Sequence, residues 1–183
     1  MSKRIGTKTG LLIADFFDTI VIKRTDDYEF DPGQPHPDSG IRSSDADWFV
    51  RPGIDELFAY LGENRIKFAI CSDGVEDRIS WILGRSGYST DRIARILPGL
   101  WIGLYGRNNR YYIGYNTFVK NLGAIMEDAG FSSNDTLLVG DDNNGLDSTS
   151  ASLYNVKWYR VPNGRENQSY SLAELREVLN FQV

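Results

Sequence analysis

Two apolar segments of the chain run directly into aspartates. LLIA is followed by Asp15, and TLLVG is followed by Asp141 and Asp142. Two buried strands that both end in carboxylates are able to hold one divalent cation above the carboxyl edge of a parallel sheet. A carboxylate nucleophile beside such a cation is suited to phosphate chemistry. The spacing therefore favours a metal-assisted reaction of a phosphorylated compound.

Asp15 is the candidate nucleophile. Its place at the end of a predicted strand lets its carboxylate point into the crevice where ligands of open α/β folds bind. An aspartate that attacks phosphorus forms an acyl phosphate and so divides one difficult hydrolysis into two easier steps. The alternative is an exposed loop carboxylate, since Asp commonly begins a turn after a strand.

The adjacent acids Asp141 and Asp142 are stronger indicators of a metal site. Neighbouring carboxylates repel each other, and placing both after a buried strand is costly unless a cation or a lysine compensates. Mg²⁺ accepts one or two protein carboxylates together with phosphate and water oxygens, which fits Asp15 with this pair. The alternative is a solvated Asp-Asp-Asn-Asn turn. Asp147 then supports the loop or lies in the outer shell of the metal site.

Two further polar residues follow predicted core segments. Ser72 could bind a phosphate oxygen through its hydroxyl and the neighbouring amides, and Gly74 permits a tight turn into the next helix. Lys120 could neutralise both the Asp15 carboxylate and a transferring phosphoryl group. The alternatives are an ordinary helix cap at Ser72 and a solvated lysine at position 120. The order of acid, hydroxyl, lysine and double acid favours the functional interpretation.

Apolar periodicity predicts an α/β fold with a mostly parallel central sheet. Buried strands are expected at residues 10–14, 67–71 and 136–140, with a further strand at 157–161. Helices are expected at residues 51–61, around residues 79–83 with an end near Gly87, at 117–129 with Gly130 ending the helix, and at 171–179 with Ser171 as its cap and Glu174 three residues on.

Two segments interrupt this alternation. Residues 23–47 carry many acidic residues and three prolines with little apolar periodicity, so we expect an acidic loop or flap. Residues 98–116 place Asn108 and Asn109 between aromatic and apolar stretches, which predicts a two-stranded hairpin. We expect residues 1–183 to form one domain that includes both segments.

Composition limits the classes of partner. The chain has 183 residues, 41% of them hydrophobic, and a formal net charge of -5, which argues against a general nucleic-acid binder. One cysteine, Cys71, excludes an intramolecular disulfide, and one histidine, His36, excludes a His-rich metal site. Asp15 and Asp18 interrupt the early apolar run, and no stretch approaches the ~20 apolar residues of a membrane span. We therefore expect a cytoplasmic protein without a membrane partner.

The ordered constellation resembles the four motifs of the haloacid dehalogenase (HAD) superfamily over about residues 9–162. The matching positions are 15–19, Ser72, Lys120 and 140–142. Within that superfamily, RPGIDELFAYL and TFVKNLGAI resemble the capless branch that includes phosphatases of the RNA polymerase carboxy-terminal domain. The resemblance implies a Rossmann-like three-layer sandwich without a large cap, a requirement for Mg²⁺ and a phosphorylated substrate, either a small molecule or a macromolecule.

The resemblance also implies residue roles. Asp15 is the expected nucleophile and a metal ligand, and Ser72 and Lys120 are the expected phosphate and charge partners. The remaining expected contacts are metal ligation by the backbone carbonyl of Phe17 and by one or both of Asp141 and Asp142, and substrate binding by Thr19, Asp73 and Gly74.

Phe17 departs from the family pattern. Phosphatases of the family carry a second aspartate there, which acts as acid toward the leaving group and then as base toward water. Without it, an alkyl phosphate should turn over slowly, because general acid-base help is worth roughly 10²- to 10⁴-fold. Asp18 is the nearest substitute. In an extended strand it would point away from Asp15, so it acts only if the backbone curls at once, and a structural role is the alternative.

Three functions remain compatible with the residues. The first is a Mg²⁺-dependent phosphohydrolase that forms an aspartyl phosphate at Asp15. The second is a phosphate-binding or scaffold protein in which Phe17 marks a lost proton shuttle. The third is hydrolysis of a carbon-halogen bond, which needs no proton donor, although the cation site predicted at Asp141 and Asp142 argues for phosphate.

Overall fold

Strands and helices alternate along the chain. The computed structural model describes residues 9–23, 47–114, 117–143 and 145–180. The strands are β1 (Leu11–Ala14), β2 (Val21–Lys23), β3 (Trp48–Val50), β4 (Lys67–Cys71), β5 (Trp101–Tyr105), β6 (Arg110–Gly114), β7 (Thr117–Lys120), β8 (Thr136–Gly140) and β9 (Lys157–Arg160). The helices are α1 (Ile54–Asn64), α2 (Glu76–Arg85), α3 (Thr90–Ile96), α4 (Leu122–Ala129), α5 (Leu146–Tyr154) and α6 (Leu175–Asn180), and short 3-10 turns lie at Ser133–Asp135 and Leu172–Glu174.

Five parallel strands form the central sheet in the order β5-β4-β1-β8-β9. Ala14 at the end of β1 is in register with Ile70 on one side and with Val139 on the other. The chain therefore leaves three adjacent strands at the same edge of the sheet. This register confirms the predicted α/β fold with a parallel sheet and places the residues that follow β1, β4 and β8 side by side.

Helices cover both faces of the sheet. Alternate residues of the buried strands point to opposite faces, as the two-residue period of a strand requires. Leu12 and Phe68 pack with α1, α2, α3 and α6, whereas Leu11 and Ala69 pack with α4 and α5. In α1 the buried residues are Ile54, Leu57, Phe58 and Leu61, which is the spacing of one helix face. The result is the three-layer sandwich that the sequence predicts.

Two predictions about secondary structure between residues 98 and 129 are wrong. Residues 101–105 do not pair with residues 110–114 in a hairpin, because β5 is instead the edge strand of the central sheet and pairs in parallel with β4. Strand β6 pairs in antiparallel fashion with β7, so the hairpin lies further along the chain. The helix expected at 117–129 begins only at Leu122, because residues 117–120 form that second strand. Asn121 caps the helix by accepting the N–H of Ala124.

The remaining elements follow the sequence pattern with some additions. Gly130 ends α4 in the left-handed conformation, and Ser171 forms the expected capping box with Glu174. Helices α3 and α5 were not predicted. The acidic segment expected at 23–47 lies almost wholly outside the described residues, which include its end residues, Lys23 in β2 and Asp47 next to β3. Among the described helices, none has the length and apolar character needed to cross a bilayer.

Candidate active site

Asp15 and Lys120 meet at the carboxyl edge of the sheet. The N–H of Asp15 donates to the carbonyl of Val139 (2.8 Å), which continues the pairing of β1 with β8 by one residue. The Nζ atom of Lys120 lies 2.6 Å from Oδ1 of Asp15 and 2.6 Å from Oδ1 of Asp147. All three side chains are buried. One ammonium group therefore joins two carboxylates, one from the end of β1 and one from the first turn of α5.

Lys120 is held by its backbone as well as by its charge. It is the last residue of β7, and its N–H donates to the hydroxyl of Ser150 in α5 (3.0 Å). Burial alone would lower the pKa of Lys120, but the nearby charges of Asp15 and Asp147 together raise it above its ordinary value. The lysine is therefore a permanent cation at the site.

Three buried aspartates form the acidic cluster of the site. Asp15, Asp141 and Asp147 each offer a carboxylate oxygen, and these oxygens all lie within 4.8 Å of one another. Burial raises the pKa of Asp15 to about 7, and the charge of Asp147 adds to this while Lys120 opposes it. Burial also raises the pKa of Asp141 to about 7, with further contributions from Asp18 and Asp147. Three carboxylates with one lysine leave an uncompensated negative charge that a cation would relieve.

The donor atoms of the cluster suit a divalent cation. Within the part of the chain that the structure describes, Oδ2 of Asp141 is buried and accepts no hydrogen bond. Both oxygens of Asp147 are in use, since Oδ1 accepts from Lys120 and Oδ2 accepts from the N–H of Asp142 (3.2 Å). Asp15 has one oxygen bonded to Lys120. Asp15 and Asp141 are therefore the carboxylates best placed to ligate Mg²⁺, and Asp147 positions the lysine.

Asp142 does not contribute its side chain to this cluster. Its backbone is left-handed (φ 57°), and its Oδ1 accepts the N–H of Ser148 (2.9 Å) near the start of α5. The turn directs this carboxylate to the start of α5, so Asp141 is the better placed of the two acids and metal ligation by Asp142 stays a prediction. Gly140 allows the Asp147 carboxylate to pack directly against the backbone at the end of β8, since a Cβ atom at position 140 would overlap that carboxylate.

The backbone curls immediately after Asp15. The N–H groups of Ile20 and Val21 both donate to the carbonyl of Phe16 (2.9 and 3.0 Å), and Asp18 is left-handed with a φ of 56°. Asp18 consequently lies in the wall of a cavity of about 90 Å³ that Asp15, Lys120 and Asp141 also line. The structure therefore meets the geometric condition for Asp18 to act beside the nucleophile.

A buried arginine fixes this turn from behind. Arg51 is 1% exposed, and its Nη2 donates to the carbonyls of Asp18 (2.7 Å) and Pro162 (2.6 Å). The Asp18 side chain is held from the same side, because its Oδ1 accepts the N–H of Gly164 (3.3 Å). The sequence marked Arg51 only as the start of a helix. The available signal in the sequence was a charged residue directly before Pro52-Gly53 and the apolar face of α1, a place where an arginine can be buried and bind backbone carbonyls.

The Phe17 side chain also forms part of the cavity wall. Its ring packs edge-on against Trp48 with centroids 4.9 Å apart, and the guanidinium of Arg78 lies 4.5 Å from the ring centre. Gly74 fits beneath it, because a Cβ atom there would come within 2.7 Å of the Phe17 ring. An aromatic ring thus occupies the position where the resemblance leads one to expect an acid.

The other expected substrate-binding residues take different positions. Ser72 is buried just after β4, and its hydroxyl accepts the N–H of Gly74 (3.2 Å). Asp73 lies in the cavity wall with a half-exposed side chain. Thr19 is fully buried inside the turn, which leaves it poorly placed to touch a substrate. Burial raises the pKa of the Cys71 thiol to about 12, so this cysteine is an unreactive core residue.

A second and larger cavity is not lined by the acidic cluster or by Lys120. It measures about 910 Å³ and is bordered by β3, the start of α1 and the end of α2. Its walls contain none of the three clustered aspartates. We therefore place the candidate site at the smaller cavity, where the buried charges lie.

Comparisons with known proteins identify the fold. No protein-family model matches the sequence, and no curated protein matches it. Among solved structures, a HAD-superfamily hydrolase of subfamily IA, variant 1, from Geobacter sulfurreducens is 13% identical, with a TM-score of 0.59 and 100% of both chains covered. CbbY from Rhodobacter sphaeroides, in complex with phosphate, is 12% identical with a TM-score of 0.55, over 90% of this chain and 92% of that chain.

A third solved structure contains a metal. The N-terminal part of the protein BF1531 from Bacteroides fragilis, which contains a phosphatase domain and is complexed with Mg, is 17% identical with a TM-score of 0.57. The alignment covers 95% of this chain and 41% of that chain. At these identities the likeness concerns the fold, and the fold is HAD-like.

Proposed function

We propose that this protein is a Mg²⁺-dependent phosphohydrolase that works through an aspartyl phosphate at Asp15. The observation that carries the proposal is the bridge from Lys120 to Asp15 and Asp147 beside the unsatisfied Oδ2 of Asp141. The HAD-like fold and the solved relatives with phosphate or Mg support the same reaction class.

Asp15 and Asp141 would hold the metal together with the backbone carbonyl of Phe17. Asp147 would stay outside this ligand set, because Lys120 and the N–H of Asp142 occupy its two oxygens. When bound, Mg²⁺ supplies positive charge that keeps Asp15 ionised and offsets the charge of the phosphoryl oxygens.

Asp15 attacks the phosphorus atom in the first step. A bond forms between a carboxylate oxygen and phosphorus, and the bond from phosphorus to the leaving oxygen breaks. Lys120 remains charged throughout and stabilises the added negative charge. The hydroxyl of Ser72 and the backbone amides of Asp73 and Gly74 bind the phosphoryl oxygens.

Asp18 carries the proton that Phe17 cannot carry. Its acid form gives the proton to the leaving oxygen, and the resulting carboxylate then takes a proton from the water that attacks the acyl phosphate. This step releases phosphate and regenerates Asp15. The place of Asp18 in the cavity wall beside the nucleophile supports this role.

The finer resemblance to phosphatases of the RNA polymerase carboxy-terminal domain is part of the proposal. It rests on the segments at 51–61 and 117–125. In that case the phosphoryl group belongs to a protein side chain.

Release of phosphate from p-nitrophenyl phosphate tests the reaction. We expect turnover with Mg²⁺, none with EDTA, and none with Asp15→Asn. Asp142→Asn is the matched control, because it removes a neighbouring carboxylate that lies outside the acidic cluster. Turnover that needs no metal and survives Asp15→Asn would exclude the proposal.

A further inference from the structure

The segment that joins β5 to β6 folds over the loop that follows β4. The N–H of Arg107 donates to the carbonyl of Gly74 (2.7 Å), and the N–H of Gly106 donates to Oε1 of Glu76 (3.0 Å). A Cβ atom on Gly106 would come within 2.9 Å of the Gly74 carbonyl, so the two segments are in close contact. The side chains at positions 107 and 110 therefore lie next to the loop at Asp73 and Gly74, which borders the candidate site.

Two guanidinium groups converge there on one backbone oxygen. Nε of Arg107 and Nη2 of Arg110 both donate to the carbonyl of Asp73, at 3.3 and 2.8 Å. The Arg110 guanidinium is stacked 3.8 Å from the centre of the Phe118 ring, which fixes its plane. Two like charges on one neutral acceptor repel each other, so this arrangement is stabilised by an anion that both can reach.

The local charge leaves room for such an anion. The only carboxylate paired with Arg110 in the described part of the chain is Asp73, at 3.8 Å, and its side chain is 51% exposed. The nearby Glu76 carboxylate accepts the N–H of Gly106, so in the described ranges the two guanidinium groups share only the half-exposed carboxylate of Asp73. Each guanidinium has five N–H donors, and each uses only one of its nitrogens on the Asp73 carbonyl. In addition, Nε of Arg110 is buried and has no acceptor among the described residues.

This positive pair adjoins the reaction site through a single residue. Asp73 lies in the wall of the cavity that Asp15 and Lys120 also line, and the two arginines donate to the backbone carbonyl of this residue. A group on the substrate that extends from the cavity past Asp73 therefore meets them. Arginine is suited to this position, because its planar fork matches the two oxygens of a carboxylate or phosphate.

We infer that Arg107 and Arg110 form a second anion site, which binds a carboxylate or phosphate group of the substrate other than the phosphoryl group that reacts. The inference rests on the proposed function and adds to it a substrate class: phosphate monoesters that carry another negative group. The competing explanation is that both arginines only latch the 73–76 loop, in which case their loss affects every substrate equally.

Matched pairs of aryl phosphates separate these explanations. The charged members are 3- and 4-carboxyphenyl phosphate, and the neutral members are 3- and 4-carbamoylphenyl phosphate, which have the same shape. For at least one pair we expect KM to be about tenfold lower for the carboxylate, the effect of one exposed charge-assisted contact. The preference should shrink as salt is added.

The double variant Arg107→Gln with Arg110→Gln should abolish this preference and leave KM for the carbamoyl compounds unchanged. Glutamine at position 107 keeps an N–H donor near the place of the arginine Nε, and the backbone N–H of residue 107 still donates to the Gly74 carbonyl, so the loop retains its latch. Arg95→Gln is the control, because Nε of Arg95 also donates to a backbone carbonyl at 3.3 Å, that of Asp91. The absence of a preference in the unmodified protein, or its survival in the double variant, overturns the inference.

Failure of the proposed function gives a different result. If the unmodified protein with Mg²⁺ hydrolyses none of the four compounds, the phosphohydrolase proposal falls. The anion site is then decided by binding alone, using the corresponding aryl phosphonates and the fluorescence of the four tryptophans. Tighter binding of the carboxyphenyl phosphonate that requires Arg107 and Arg110 supports the site, and equal binding of both phosphonates overturns it.

Discussion

Lys120 bonds to Asp15 although the two residues are 105 positions apart in the chain: Nζ of the lysine lies 2.6 Å from Oδ1 of the aspartate. The same ammonium group holds Asp147 at an equal distance. A single buried cation therefore sets the positions of two carboxylates, and its removal should affect folding and activity together.

Lys120→Met tests this relationship. The variant leaves Asp15 and Asp147 buried without their cation, so we expect the free energy of unfolding to fall by about 3–5 kcal/mol. Hydrolysis of an aryl phosphate should fall at least ~10²-fold, because a charge that stabilises the transition state is lost. Urea denaturation and initial rates give the two numbers.

Lys67→Met is the control for the loss of a lysine. Nζ of Lys67 donates to the carbonyl of Ala129 (2.8 Å) and reaches no member of the acidic cluster. Its loss should cost about 1 kcal/mol and leave the rate unchanged. Equal effects of the two variants would contradict the role assigned to Lys120.

Asp141→Asn should stabilise the metal-free protein at neutral pH. The pKa of Asp141 is about 7 in the folded protein and 3.8 in the unfolded chain. Because the folded state keeps a proton that the unfolded state releases, the free energy of unfolding falls as pH rises from about 4 to about 7. Asparagine removes this penalty. We expect Tm to rise by about 2–4 °C at pH 7, the shift produced by 1 kcal/mol in a protein of this size.

Thermal melts in EDTA at pH 4 and pH 7 measure this effect. At pH 4 the variant and the unmodified protein should melt alike, since the carboxyl is protonated in the folded state and its penalty is absent. Asp142→Asn should leave Tm nearly unchanged, because the asparagine Oδ1 still accepts the N–H of Ser148. Added Mg²⁺ should stabilise the unmodified protein and not Asp141→Asn. A lower Tm for Asp141→Asn at pH 7 would argue against this electrostatic account.

Gly140→Ala should displace the Asp147 carboxylate. The new methyl group overlaps that carboxylate, and overpacking of a well-filled interior costs about 1–3 kcal/mol. Moving Asp147 releases Lys120, so the rate with an aryl phosphate should fall as well. Gly84→Ala is the matched control. A Cβ atom at position 84 in α2 meets no neighbour within 4 Å, and alanine there should stabilise the helix by about 0.5–1 kcal/mol. A fully active Gly140→Ala protein would contradict the prediction.

Asp18→Asn should affect poor leaving groups most. We expect turnover of glycerol phosphate to fall about 10²- to 10⁴-fold, since an alkoxide leaves only with a proton, whereas p-nitrophenyl phosphate should lose far less. Phe17→Asp in the Asp18→Asn background should restore part of the glycerol phosphate rate, and Phe17→Leu in that background should not. If Asp18→Asn slows both substrates equally, Asp18 has only a structural role.

The elements that could be predicted from the sequence are those whose apolar residues are buried. Strands β4 and β8 were predicted to the residue, because their apolar runs are buried on both faces. Helix α5 was missed because LDSTSASLY has few apolar residues and buries small or polar side chains such as Ser150. Strand β7 was assigned to a helix because its pairing with β6 is a tertiary contact that local periodicity does not contain.

The site shows the same limit at the level of single side chains. The sequence predicted that the ends of β1 and β8 would meet, since parallel strands leave the sheet at one edge. It did not predict that the Asp142 carboxylate accepts the N–H of Ser148, because that depends on the left-handed backbone of Asp142 and on the start of α5. The direction of a carboxylate after a strand is set by the turn, which adjacency in sequence does not specify.

The clamp formed by Arg51 has a consequence for the order in which the molecule is assembled. Asp18 and Gly164, which meet beside that clamp, are separated by 146 positions. During synthesis from the amino end, Asp15 and its strand leave the ribosome long before residues 162–167 exist. The turn that brings Asp18 to the nucleophile therefore lacks its anchors through most of translation. We expect a chain that ends at residue 160 to contain all five strands of the sheet without a competent catalytic centre.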